Sequence, residues 1–104
     1  MVQFFLNIVE FGMDPQEAVE AARFATYNYP GSFYPHTYNA GLLRMERRID
    51  AKVQAKLAER GNRLEPWEDF SWKGGGVCGT LYDADKGILQ GAADPRRECY
   101  AMGW

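Results

Sequence analysis

The first eleven residues are apolar except at Gln3, Asn7 and Glu10. Those three recur at i, i+4 and i+7, which is one face of a helix, while Val2, Phe4, Phe5, Leu6, Ile8, Val9 and Phe11 fill the rest. So wide an apolar surface predicts a helix buried on most sides. No Ser, Thr or Asp precedes its first turn to cap it, so it reads as a helix cut from a longer chain. A natural start at Met1 is the alternative. Gly12 suits the left-handed residue that ends a helix. Asp14-Pro15-Gln16-Glu17 then opens a second one, with Asp14 as N-cap, Pro15 at N1 and Glu17 completing a capping box. This helix is expected to run to about Phe24, and its Ala18, Ala21 and Ala22 allow close packing.

Thr26 to Gly41 breaks the periodicity and reads as a loop. From Leu42 to Ile49 the pattern alternates, predicting a strand with Leu43 and Met45 on one face and Arg44 and Glu46 on the other. Asp50 caps a helix whose apolar stripe is Val53 and Leu57, and Gly61 ends it. Leu64 to Trp72 is acidic and aromatic, and Pro66 restricts any strand there to an edge. Val77 to Tyr82 and the stretch around Ile88 and Leu89 have strand composition, and Asp83-Ala84-Asp85-Lys86-Gly87 between them is a hairpin loop. Gly91-Ala92-Ala93 offers almost no side chain, so a helix or another backbone can approach closely. The class this predicts is α+β, with helices and antiparallel strands ending in a hairpin.

At 104 residues the chain has the length of one domain. It has room for only a modest core, since a chain of this size buries roughly 60–65% of its unfolded surface. A composition 46% hydrophobic and 25% charged argues against disorder. The net charge of −2 gives no global pull toward nucleic acid or an anionic membrane, so neither is expected as a partner. No apolar run reaches the roughly 18 residues of a membrane helix, and the start lacks the basic region and small-residue cleavage site of a signal peptide.

Candidate chemistry is sparse. Tyr27, Tyr29, Phe33, Tyr34 and Tyr38 crowd the loop after Thr26. They make either an aromatic stacking surface or, the plainer reading, a connection that drapes over the domain and buries its rings. His36, the one histidine, has no Cys or carboxylate beside it, which is weak support for catalysis or metal binding. Arg44 to Arg63 holds seven basic and three acidic residues, more like a solvated helix than a phosphate face. Lys73-Gly74-Gly75-Gly76 lacks the Gly-Lys-Ser/Thr of a phosphate cradle. Asp83-Ala84-Asp85 begins like a calcium loop, but its glycine falls one position early and no helices flank it. Cys78 and Cys99 lack metal-site spacing. They read as two packed thiols, or as one bridge if they lie side by side.

Two stretches carry a resemblance. Gly87-Ile88-Leu89-Gln90-Gly91-Ala92-Ala93-Asp94-Pro95-Arg96-Arg97, with a glycine near the terminus, is similar to the end of the γ-glutamyltranspeptidase family. Asn7 through Val19, followed by Ala21-Ala22-Arg23-Phe24, resembles the family's helix–Gly–helix segment and its Ala-(Pro/Ala)-Arg-Phe. The order and spacing agree, and Thr26 to Lys73 matches loosely. Glu98-Cys99-Tyr100-Ala101 departs from the glycine and alanine common there. The stretch Ser32-Phe33-Tyr34-Pro35-His36, together with Lys73-Gly74-Gly75-Gly76-Val77-Cys78, looks more like the bacterial acylase-like branch.

The resemblance implies the C-terminal part of the small subunit of an N-terminal nucleophile (Ntn) hydrolase, an αββα sandwich that cleaves itself. The new N-terminal threonine attacks a γ-glutamyl or glutaryl amide, such as that of glutathione, with its own α-amine as base. Met1-Val2 supplies no such nucleophile, and the family's ligand residues and glycine pair find no match. The expected catalytic, cofactor-binding and metal-binding residues in this chain are therefore none. The implied partner is the rest of the enzyme, the large subunit and the N-terminal part of the small one, in a bacterial cytoplasm or periplasm. Asp94, Pro95 and Arg96 are expected to order the chain end. The rival expectation is a stand-alone oligomeric module that binds through its first helix or aromatic loop, and a small enzyme using His36 or Cys78 ranks third.

Overall fold

The computed structural model describes residues 1–103. The chain forms two compact units, one built from Met1–Ala21 together with the chain from Trp72 onward, the other from Ala22–Ser71. Helices and strands are mixed in both, as the α+β expectation requires.

The first unit contains α1 (Val2–Val9), α2 (Pro15–Glu20), and the antiparallel hairpin of β1 (Cys78–Asp83) and β2 (Ile88–Ala93). Gly12 closes α1 at φ 66°. Asp14 accepts hydrogen bonds from the Gln16 and Glu17 N–H groups, while Glu17 accepts from the Asp14 N–H, so the capping box is complete. Such a cap is worth about 1 kcal/mol. The inward side of α1 is not its most apolar one. Gln3, Phe4, Asn7 and Ile8 are half-buried, whereas Val2, Phe5, Leu6 and Val9 are exposed. Asn7 turns inward because its amide donates to the Ala18 carbonyl of α2. The expectation of a helix buried on most sides is not met within this chain: α1 has no fully buried residue.

The small residues of the hairpin do what their size allows. Ala92 is buried against α2. Gln16 of α2 grips the edge of β2: its Oε1 accepts from the Ala93 N–H, and its Nε2 donates to the Ala93 carbonyl, both at 3.1 Å. The Phe4 ring sits so close to Gly79 that a Cβ there would come within 2.7 Å of it.

The second unit is a three-stranded sheet, β3 (Phe24–Thr26), β4 (Leu42–Glu46) and β5 (Arg63–Trp67), with β4 central and α3 (Ala51–Glu59) connecting β4 to β5. The pattern of expected elements is altered at two points. The second helix stops at Glu20, and Phe24–Thr26 is a strand paired antiparallel to β4, Phe24 opposite Met45 and Thr26 opposite Leu43. The β4–β5 pair is parallel, with Leu42 opposite Arg63 and Glu46 opposite Trp67. A parallel pair needs a crossover, and α3 supplies it, capped by Asp50, which accepts from the Lys52 N–H at 2.6 Å. Pro66 does lie on an edge strand, where its missing donor costs no ladder bond.

The core of this unit is Leu42, Leu43, Met45 and Trp67. Strand β4 is buried on both faces, so the expected alternation fails at Glu46, which is 0% exposed. The aromatic loop corrects the draping expectation. Tyr29, Phe33, Tyr34 and Tyr38 all lie in solvent, Tyr34 at 90% exposure. The loop is ordered by its own polar groups: Gly31 N–H donates to Thr37, His36 N–H to Phe33, and the Asn28 side chain accepts from the Gly41 N–H at 2.6 Å.

Candidate functional site

The most connected polar cluster in the first unit lies just past β2, where the chain reads Asp94-Pro95-Arg96-Arg97. Both charged side chains of the Asp94–Arg96 pair are 0% exposed, with Arg96 Nη1 3.1 Å from Asp94 Oδ1. An ion pair this deep is stable only when the remaining donors and acceptors are also satisfied. Here they are. Asp94 Oδ1 also accepts from the Arg96 N–H, and Oδ2 accepts from the Val77 N–H, both at 3.0 Å. Arg96 Nη1 donates to the Val19 carbonyl at 2.7 Å and Nη2 to the Ala21 carbonyl at 2.8 Å.

Those carbonyls explain the early end of α2. The last carbonyls of a helix have no intrahelical donor. The planar guanidinium satisfies two at once, a task suited to the fork geometry of arginine. Ala21 is then free to leave the helix with an extended ψ of 143°. One side chain near the chain end thus closes a helix that lies more than seventy residues earlier. The ion pair and hydrogen bonds expected of Asp94 and Arg96 are present, and they reach Val77, Val19 and Ala21. Arg97 continues the cluster: its Nη2 donates to the Trp72 carbonyl at 3.1 Å and its guanidinium lies 5.4 Å from the Trp72 ring centroid.

The second unit has its own buried carboxylate, which sequence reasoning placed on the wrong side of its strand. Glu46 Oε2 accepts from the Arg23 N–H at 3.2 Å and from Arg48 Nη2 at 2.8 Å. Arg48 in turn lies over the Phe70 ring, 3.8 Å from its centroid. The one signal that could have marked Glu46 is the arginine two residues on.

Among the described residues, His36 and Asp83 are each committed to local contacts. His36 is held by a hydrogen bond from Nδ1 to the Gly31 carbonyl at 2.8 Å and by an edge-on contact with Tyr34. Asp83 is committed to its turn, accepting from the Asp85 and Lys86 N–H groups and pairing with Lys86 Nζ at 3.0 Å. The Lys86 side chain, then its backbone N–H, hold the Asp83 carboxyl below the usual range. Among the described residues no group of three or more His, Cys, Asp or Glu could hold a metal ion, and no helix is long and apolar enough to cross a membrane. The glycine run after Lys73 begins inside a short 3-10 turn, Trp72–Gly74, and leads toward β1.

Comparison with known proteins agrees with this layout. The family model of gamma-glutamyltranspeptidase matches residues 1–104. The glutathione hydrolase-like YwrD proenzyme of Bacillus subtilis is 31% identical over 97 residues, 93% of this chain and 17% of that protein. A structure of LmbA2991HD, 34% identical, matches 99% of this chain and 18% of its own with a TM-score of 0.88. The crystal structure of cephalosporin acylase from Bacillus halodurans matches 98% of this chain and 17% of its own at 22% identity, with a TM-score of 0.79. The chain therefore spans less than a fifth of the length of each of these relatives. Matched from end to end, and carrying the Asp94–Arg96 cluster in the stretch that closes it, this chain belongs to the gamma-glutamyltranspeptidase family.

Proposed function

We propose that the chain is a single-domain scaffold, the C-terminal portion of the small subunit of an Ntn hydrolase that hydrolyses or transfers γ-glutamyl or glutaryl amides such as glutathione. The threonine nucleophile and the groups that bind substrate come from the rest of the enzyme. The observation that carries this reading is the Asp94–Arg96 cluster. Its hydrogen bonds reach the chain's own backbone at Val77, Val19 and Ala21, as a structural clamp requires. The length of chain matched in the relatives supports the same reading.

The remainder of the enzyme would cover the outward face of α1, where Val2, Phe5, Leu6 and Val9 present apolar side chains to solvent. An apolar face of this kind marks an interaction surface.

The test is hydrolysis of a chromogenic γ-glutamyl anilide by this chain, alone and mixed with a relative's chain from which the matched stretch has been removed. Activity in the mixture alone is the expected result. Activity of the isolated chain would refute the scaffold assignment. Silence in both, with a defined oligomer on sizing, would move the assignment to a self-associating binding module.

A further inference from the structure

The clamp has a second consequence, at the cysteines that flank it. Asp94 Oδ2 holds the Val77 N–H, which fixes the position of the next residue, Cys78, at the start of β1. Beyond Arg97 the chain turns tightly, Cys99 N–H donating to the Arg97 carbonyl at 2.8 Å. That turn returns Cys99 to the same edge. A Cβ placed on Gly76 would lie 3.6 Å from the Cys99 sulfur and 2.6 Å from Arg97 Cγ. The absence of a side chain at Gly76 is what lets the tail lie down there. Cys78 is exposed and Cys99 half-buried, and both are free thiols.

We propose that Cys78 and Cys99 form a reversible intramolecular disulfide that fastens the chain end to the first residue of β1. The proposal stands on these two side chains and does not depend on the enzyme assignment. The Cys99 thiol is pushed above the ordinary cysteine range, first by its interaction with the Cys78 thiol and then by burial. Cys78, the more exposed of the two, is the thiol that a small disulfide reaches first. It displaces one thiolate from a small disulfide such as oxidised glutathione, leaving a mixed disulfide on Cys78. Cys99 gives its proton to solvent and attacks the Cys78 sulfur, releasing the second glutathione. Two electrons pass from the chain to the small disulfide, and no other reactant is needed.

The bond would also hold the residues that follow. Tyr100, Ala101 and Met102 border Cys78, Gly79 and Thr80, and Ala101 and Met102 with Tyr82 and Leu89 line an open cleft of about 700 Å³ on the hairpin. Oxidation would fix the tail along that cleft, and reduction would release it.

The test treats the folded, reduced chain with oxidised glutathione. Both thiols should become unreactive, the mass should fall by two hydrogens, and no glutathione should remain bound. Trypsin cutting after Arg97 should then leave residues 98–104 attached until a reductant is added. In Cys99→Ser, the glutathione should persist on Cys78. The wild-type chain alone decides the matter. Thiols that stay free, glutathione retained on both cysteines, or a disulfide-linked dimer would each overturn the proposal.

Discussion

Each unit buries one carboxylate completely, and the two are built differently. Asp94 is paired with a cation that is itself 0% exposed, and that cation spends its donors on a helix end. Glu46 is paired with an Arg48 side chain that is 28% exposed and rests on the Phe70 ring. The difference is what remains when one partner is lost. Removing Arg96 leaves a buried charge, and it takes one donor from each of the Val19 and Ala21 carbonyls. Removing the Glu46 charge leaves an arginine that can turn to water. Burial of the carboxylate is the same in both units, so the exposure of the cation decides how much each pair matters.

The sharpest way to break this comparison is Arg96→Ala. Leaving one member of a buried pair uncompensated costs about 3–5 kcal/mol, a large share of the roughly 5–15 kcal/mol that holds a domain together. Denaturant unfolding should show a loss of that size, and Arg96→Lys should restore only part of it, since an ammonium cannot fork to two carbonyls. A protein with Arg96→Ala as stable as the wild type would remove the clamp from the account. Glu46→Gln keeps the shape and an acceptor for the Arg23 N–H, and should cost less, about 1–3 kcal/mol. A loss equal to that of Arg96→Ala would mean that cation exposure does not separate the two sites. Smaller still is Arg44→Ala. Arg44 pairs with Glu65 at 2.7 Å with both side chains over a third exposed, and its guanidinium lies 4.8 Å from the Tyr27 ring centroid. Such a pair is worth about 0–1 kcal/mol and should weaken with salt.

Acid gives a last contrast, on the hairpin turn. The Asp83 carboxyl is held below its usual range in the folded state, first by the Lys86 side chain. Its contribution is therefore present above the unfolded carboxylate pKa and is lost as pH falls through the lower folded value. The group is half-buried and its partner Lys86 is largely exposed, so the effect is small. Unfolding midpoints followed into acid should fall less steeply for Asp83→Asn than for the wild type.

What was legible in the sequence was what short-range chemistry decides. Asp14 and Glu17 stand three residues apart and cap their own helix, Gly12 takes the left-handed position beside it, and Asp83 through Gly87 fold a turn between two strands. Asp94 and Arg96 are two residues apart, so their pairing could be anticipated. What Arg96 does to α2 could not, because its targets, Val19 and Ala21, lie on the far side of the sequence. That contact, with the pairing of Phe24–Thr26 to β4, turned an expected helix end into a strand. Glu46 defeated the alternation rule because its strand is covered on both faces, which a single sequence does not announce. The aromatic loop misled for the opposite reason. Five rings suggested burial, but the loop satisfies its polar groups internally and leaves four of the rings, Tyr29, Phe33, Tyr34 and Tyr38, in water. In α1, one hydrogen bond from the Asn7 side-chain amide to the Ala18 carbonyl helps set which face turns inward, and the greasier side is left out.

The measurement that tests the central claim most directly is recovery of γ-glutamyl anilide hydrolysis when this chain is added to a relative lacking the matched stretch. It should be run side by side with wild-type chain and with Arg96→Ala. A scaffold organised by the clamp predicts activity with the wild type and its loss with Arg96→Ala, and none from either chain by itself. Hydrolysis by the isolated wild-type chain would contradict the account, because it would require a nucleophile within these 104 residues.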